Sequence, residues 1–177
     1  LEGLYKSVNS GVLFNVVSGV PSSLFNPGGN GAQGWYDLYL AIAPHTLTND
    51  TLYIGGVEAY SSFNSGGSWQ SYSDYVSHFN VHVDHQSIAL DPTNTRKVYI
   101  GTDGGVYRSV DAGQNWSYRS TGFMTMRFYH IGLDRGDFLK TYAGAQDQGI
   151  WKNVSGQGSS QILGGDGFQP IVDPGNS

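Results

Sequence analysis

One eight-residue pattern recurs along this chain and limits its fold more than any other feature. The pattern, Ser-x-Asn/Asp-x-Gly-x-x-aromatic, begins at residues 7, 62 and 109. In a hairpin turn the Asn or Asp side chain accepts backbone N–H groups, and Gly supplies a positive φ. We therefore predict three structural turns, called boxes below. Their defining residues are Ser7, Asn9, Gly11 and Phe14; Ser62, Asn64, Gly66 and Trp69; Ser109, Asp111, Gly113 and Trp116.

The residues around each box predict a repeated four-stranded unit. Helical periodicity is nearly absent, and short runs of β-branched and aromatic residues alternate with turn clusters. In the clearest unit we predict strands A to D near 86–91, 97–102, 105–109 and 115–120, with the box between C and D. Four short strands that repeat about every 50 residues are typical of β-propeller blades.

The predicted fold is all-β, with about three and a half blades of four antiparallel strands. The boundaries are a half blade at 1–20, blades at 34–75 and 82–121, a variant blade without a box at 127–156, and the start of another at 165–177. Propellers usually have four to eight blades, and open blade edges tend to pair. We therefore expect the 177 residues to be part of a longer ring or to assemble with further copies.

Composition removes several classes of function. A net charge of −5 with 9 Lys and Arg residues argues against a nucleic-acid surface. The absence of Cys excludes disulfide scaffolds, zinc–thiolate sites and cysteine nucleophiles. No apolar run is long enough for a transmembrane helix, and neither a Gly-x-Ser-x-Gly elbow nor a phosphate loop is present. We expect no cofactor.

Blade topology predicts where a ligand binds. The B–C turns and D–A connections share one rim, and polar groups that converge at such a mouth form the default ligand site. The residues predicted there are Trp35, Tyr36, Asp37, His82, Asp84, His85, Tyr129, His130 and Asp166.

Two further acids have a candidate catalytic role. Asp103 and Asp147 follow equivalent B strands, and a pair of carboxylates is what glycoside hydrolysis requires. An ordinary Asp-Gly turn is the alternative interpretation of Asp103.

The segment 82–85 contains two imidazoles and a carboxylate. One short segment supplies too few ligands for a metal ion, so we expect hydrogen bonding there and no metal site. Three Asn-x-Ser/Thr sequences make Asn49, Asn115 and Asn153 candidate glycosylation sites.

The boxes resemble the Asp-box, or bacterial neuraminidase (BNR), repeat of sialidases, sortilin-type receptors and xyloglucan-degrading hydrolases. Residues 82–151 are more similar to secreted bacterial propellers of the BNR-like, sortilin-like group, through 82–85, 101–105, 128–130 and 144–149. The region around Asp103 is similar to one that holds a catalytic Asp in xyloglucan-degrading propellers. A sialidase is not expected, because that activity needs an arginine cluster and an F/Y-R-I-P motif, and the closest string is 126–129.

The resemblance implies a secreted or cell-surface protein. The leading hypothesis is a recognition or adhesion module that binds glycan or protein on the B–C/D–A rim. The alternative is a glycoside hydrolase of xyloglucanase type that uses the paired acids, so whether the chain is an enzyme stays open. A third hypothesis is a structural subunit that assembles through its blade edges.

Overall fold

The computed structural model describes residues 3–24, 36–44, 49–74, 81–123 and 126–173. The regular secondary structure of these residues is β-strand, apart from one 3-10 turn at Ser22–Leu24. None of the helical structure in these ranges is long and apolar enough to cross a membrane. The chain divides into two compact units, 1–121 and 122–177. Trp35 lies outside the described residues.

The first unit contains a two-stranded sheet and two four-stranded antiparallel sheets, each with its strands in sequence order. The two four-stranded antiparallel sheets confirm the blade architecture that the sequence predicts. The half blade consists of β1 (Tyr5–Lys6) and β2 (Asn15–Val16). The second sheet contains β3 (Tyr39–Ala43), β4 (Thr51–Gly55), β5 (Ala59–Ser62) and β6 (Gln70–Ser73). The third contains β7 (His85–Leu90), β8 (Val98–Thr102), β9 (Gly105–Ser109) and β10 (Ser117–Tyr118).

The three boxes share one hydrogen-bond pattern. In the second box, Ser62 Oγ accepts the N–H of Gly66 at 2.9 Å and donates to Asn64 Oδ1 at 2.9 Å. Asn64 Oδ1 also accepts the N–H of Ser68 at 2.8 Å. The boxes at Ser7 and Ser109 repeat these bonds. The box glycines have φ between 83° and 94°, where side chains are strained, so the pattern requires glycine.

The boxes also contribute to packing between blades. A Cβ on Gly113 would lie 2.9 Å from the ring of Tyr53, which belongs to the preceding blade and is fully buried. The core between these two blades includes Tyr53, Tyr72, Val98 and Ile100, with Trp116 packed against it. The third box therefore closes its own hairpin and also fits closely against the preceding blade.

The boxes lie on the rim formed by the A–B turns. The N–H of Ala112, in the third box, donates to Arg96 O at 2.8 Å, between β7 and β8. The N–H of Ser65, in the second box, donates to Asp50 O at 3.1 Å, just before β4. The B–C turns lie at the opposite ends of the same strands.

The second unit is one four-stranded antiparallel sheet. Its strands are β11 (Phe128–Leu133), β12 (Lys140–Ala145), β13 (Gly149–Val154) and β14 (Gly158–Leu163). The fourth strand extends past the boundary at 156 that the sequence predicts. No box marks the turn before it, and Gly156 and Gly158 supply the positive φ there instead.

The segment after β14 differs from the sequence prediction. Residues 164–173 form no strand, whereas a new strand was expected from 165. The segment still contacts the sheet, because the N–H of Gly167 donates to Ala145 O at 2.9 Å. A Cβ on Gly144 would lie only 1.7 Å from Phe168 O. In the first unit, an equivalent bond joins the N–H of His85 to Gly56 O at the start of β7.

Candidate functional site

The rim opposite the boxes brings together B–C turns and D–A connections in the first unit. The N–H of Asp84 donates to Val57 O at 2.9 Å, which ties the entry of β7 to the β4–β5 turn. The N–H of Asp103 donates to Asp84 O at 3.1 Å, which adds the β8–β9 turn. Asp84 has a positive φ of 60°, so the chain turns sharply before β7 begins.

A β-bulge at the start of the A strand aims one side chain at this rim. In β7, His85 pairs with Thr102 and Ser87 with Gly101, which leaves Gln86 as the extra residue. In β11, the register shifts between Phe128 and His130 in the same way, and Tyr129 is the extra residue. Bulges bend the strand and redirect a side chain, and they are frequent beside active sites.

In the first unit the bulge produces an amide bridge, defined here as Asp37, Gln86 and Asp103. Nε2 of Gln86 donates to Asp37 Oδ1 at 3.1 Å and to Asp103 Oδ1 at 3.0 Å. The bridge joins the entry of one blade to the bulge and the B–C turn of the next. The sequence identified both acids but not Gln86, since strand alternation gives no sign of a bulge.

The two acids of the bridge differ in environment. Asp37 is 1% exposed, and its Oδ2 has no hydrogen-bond partner among the described residues. Burial raises the pKa of Asp37 above its usual value, the hydrogen bond from Gln86 opposes this, and the charge of Asp103 adds to it. Asp103 is half-buried and within reach of solvent. Asp103 is thus the more accessible of the two carboxylates.

In the second unit the bulge residue forms an aromatic stack, defined here as Tyr129 and Phe168. The ring planes lie 6° apart with centroids 5.7 Å apart, which is an offset-stacked arrangement. The side chains are 39% and 65% exposed. Beside them, Asp166 Oδ1 accepts the backbone N–H of Asp147 at 3.1 Å. Aromatic faces and carboxylates therefore share this end of the second unit's sheet, although Phe168 was not among the predicted site residues.

His85 corrects the sequence prediction, because it lies in the core and not on the exposed rim. Its side chain is fully buried, and its Nδ1 lies 3.2 Å from the Tyr39 hydroxyl. Its ring also meets Tyr39 and Tyr72 edge-on. Burial, with a smaller effect of His82, lowers the pKa of His85 to about 3. The imidazole is therefore a neutral core residue at neutral pH.

The other predicted rim residues have less distinctive positions. Tyr36 and His130 are exposed, and His82 is half-buried with its Nδ1 2.9 Å from Val83 O. Within the described ranges, no three His, Asp or Glu side chains come together as metal ligands. Asp103 belongs to the first unit and Asp147 to the second.

The three sequon asparagines are exposed. The side-chain amide of Asn115 is engaged in the third box, where it donates to Asp111 Oδ2 at 2.7 Å. Asn153 Oδ1 accepts a hydrogen bond from Ser159 Oγ at 3.2 Å.

These features define β-propeller blades whose B–C ends carry polar side chains in the first unit and a stacked aromatic pair in the second. The chain is similar to a xyloglucanase of Hypocrea jecorina (strain QM6a), with 29% identity over 135 residues. The match covers 73% of this chain and 16% of that enzyme, so the chain corresponds to a small part of its relative's length. No protein-family model matches the chain.

Similar solved structures have low identity to this chain. An ancestral GH74 enzyme has 19% identity and a TM-score of 0.45, over 93% of this chain and 22% of that one. The GH74 xyloglucanase of Xanthomonas campestris has 16% identity and a TM-score of 0.44, over 93% and 28%. A GH74 enzyme of Niastella koreensis has 19% identity and a TM-score of 0.36, over 80% and 25%.

Proposed function

We propose that this chain forms part of a propeller glycoside hydrolase that acts on a neutral β-glucan of xyloglucan type, with the B–C/D–A rim as its glycan site. The observation that carries the proposal is the aromatic stack beside Asp147 and Asp166 on that rim. Flat aromatic faces suit the apolar faces of pyranose rings, and carboxylates accept hydrogen bonds from sugar hydroxyls. The similarity to a xyloglucanase supports the substrate class.

Asp103 and Asp147 are the proposed catalytic carboxylates. Hydrolysis needs one carboxyl group that protonates the leaving oxygen and one that activates water or attacks the sugar. Both residues lie in B–C turns that follow a strand ending in a small residue, β8 and β12 respectively. Within the second unit, Asp166 and the aromatic stack would then hold sugar units beside Asp147.

The proposal is tested by xyloglucan depolymerisation, measured as released reducing ends. Asp103→Asn and Asp147→Asn are each expected to lower kcat by about 100-fold or more, since an acid or base of this kind contributes that much. Asp91→Asn is the matched control. Asp91 follows β7 on the box rim, where its Oδ1 accepts the N–H of Thr93 at 2.8 Å. The kcat of the Asp91→Asn variant is expected to be unchanged.

The recognition hypothesis makes a different prediction. A secreted or cell-surface module of Asp-box type would bind the same glycan through the aromatic stack without cleaving it. Binding of xyloglucan oligosaccharides with no released reducing ends would favour recognition over catalysis. Equal activity of the three Asp variants and the unaltered chain would contradict the assignment of Asp103 and Asp147.

A further inference from the structure

The amide bridge determines which way the side chain of Gln86 points. Its Nε2 carries two hydrogens, and it lies 3.1 Å from one carboxylate and 3.0 Å from the other. Carboxylate oxygens attract an amide nitrogen and repel an amide oxygen, so Nε2 must face them. Both hydrogens are thereby used within the protein. Oε1 remains an acceptor, and no partner for it exists among the described residues.

Asp37 makes this orientation rigid. The Asp37 side chain is 1% exposed, so water does not compete for its bond to Gln86. Its second oxygen, Oδ2, has no partner in the described part of the chain, which leaves the Gln86 amide as the main group that satisfies the carboxyl. A buried acceptor that loses its donor is costly, and this holds the amide in place.

Gln86 itself is exposed at the rim. The equivalent bulge residue of the second unit is Tyr129, which is also exposed and forms half of the aromatic stack. The bulge therefore presents a side chain at the equivalent end of the sheet in each unit. In one case that side chain is an aromatic face, and in the other it is a fixed hydrogen-bond acceptor.

We propose that Gln86 is a specificity-determining residue of the glycan rim, whose Oε1 accepts a hydrogen bond from a hydroxyl of a bound sugar while Asp37 and Asp103 hold its nitrogen. The inference rests on the proposed glycan function. The favoured ligand is a neutral oligosaccharide, because an acceptor flanked by two acids repels carboxylate-bearing sugars such as uronates.

The test is calorimetric titration of the chain with a neutral xyloglucan heptasaccharide and with an oligogalacturonate of similar length. The unaltered chain is expected to prefer the neutral sugar. Gln86→Leu should weaken its binding by roughly fivefold to tenfold, which is the value of one hydrogen bond. Gln157→Leu is the control, since Gln157 is an exposed residue in the β13–β14 turn. The affinity of this variant for the heptasaccharide should not change.

Two further variants test the role of Asp37. Asp37→Leu removes the buried acceptor and should lower the affinity, while Asp37→Asn retains an acceptor oxygen and should restore most of it. In the free chain, the Gln86 side-chain amide should show slow proton exchange in ¹⁵N NMR spectra, and this protection should be lost in Asp37→Leu. The same spectra show whether each variant is folded.

The outcomes separate this inference from the proposed function. If Gln86→Leu binds the heptasaccharide as well as the unaltered chain, Gln86 has no specificity role and the glycan function stands. A Gln86 amide that exchanges like a free glutamine contradicts the bridge itself. If the unaltered chain binds no neutral glycan, both proposals fail.

Discussion

The buried imidazole of His85 predicts that the first unit loses stability in mild acid. Its pKa in the folded chain is about 3, against about 6.5 in an unfolded chain. Below pH 6.5 the unfolded chain therefore binds a proton that the folded chain does not. The stability that depends on neutral His85 is fully present above pH 6.5 and is lost progressively down to about pH 3.

The expected size of the effect follows from the pKa difference. Each unit of pH in this window changes the free energy of unfolding by about 1.4 kcal/mol. Between pH 7 and pH 5 the loss attributable to His85 is therefore about 2 kcal/mol. Among the described residues, the groups that contact or act on the ring are Tyr39, Tyr72 and His82, and none of them is a carboxylate that would stabilise the protonated imidazole.

The assay is urea denaturation at pH 7.5, 6.0 and 5.0, followed by tryptophan fluorescence, for the unaltered chain and His85→Gln. In the variant, the free energy of unfolding should change much less between pH 7.5 and pH 5.0, whatever its value at pH 7.5. His130→Gln is the matched control, since His130 is an exposed histidine, and it should keep the slope. Equal slopes in the unaltered chain and His85→Gln would show that His85 does not cause the loss of stability in acid. An NMR titration in which the His85 ring protonates near pH 6.5 would refute it as well.

Three further predictions concern the boxes and the rim. Ser109→Ala removes the acceptor of the Gly113 N–H and the donor to Asp111, so it should cost about 1–3 kcal/mol in urea denaturation. Gly113→Ala should destabilise the chain at least as much, because φ is +83° and the added methyl group would lie 2.9 Å from Tyr53. Gly122→Ala is the control for backbone strain alone, since Gly122 has a φ of +88° and nothing within 4 Å of the added methyl group. Phe168→Ala should weaken xyloglucan oligosaccharide binding by about tenfold while leaving the melting temperature nearly unchanged, since the ring is 65% exposed; unchanged affinity would contradict the stacking role.

Local turn chemistry explains why the first unit could be predicted so closely from sequence. Each box needs its Ser, its Asn or Asp, and its Gly for bonds made within five residues, so the pattern alone fixes the C–D hairpin. Once this hairpin turn is located, the strands on either side of it can be placed in the sequence. Where the box is absent, before β14, the prediction ended the blade too early. Residues 158–161 also lack apolar side chains, so the hydrophobic pattern does not indicate that strand.

The rim was predicted less completely because its geometry depends on bulges. Simple alternation assigns each strand residue to one face, and an inserted residue reverses the assignment beyond it. His85 was assigned to the rim from its place in the D–A connection, but its side chain lies in the core. Gln86, the extra residue of the bulge, takes the exposed position instead. Phe168 was missed because its role depends on contact with Tyr129, which is 39 residues away in sequence.

We infer that, in each unit, the end of the sheet formed by the B–C turn and the bulged strand binds a neutral glycan. The most direct measurement is an NMR titration of the ¹⁵N-labelled chain with xyloglucan heptasaccharide. Shift changes are expected to concentrate at Gln86 and Asp103 in the first unit and at Tyr129, Asp147 and Phe168 in the second. The box residues around Asn64 and Asp111, at the other ends of their sheets, should stay unchanged. Shift changes centred on the boxes, or no change at saturating sugar, would contradict glycan binding at the ends of the sheets that carry the B–C turns.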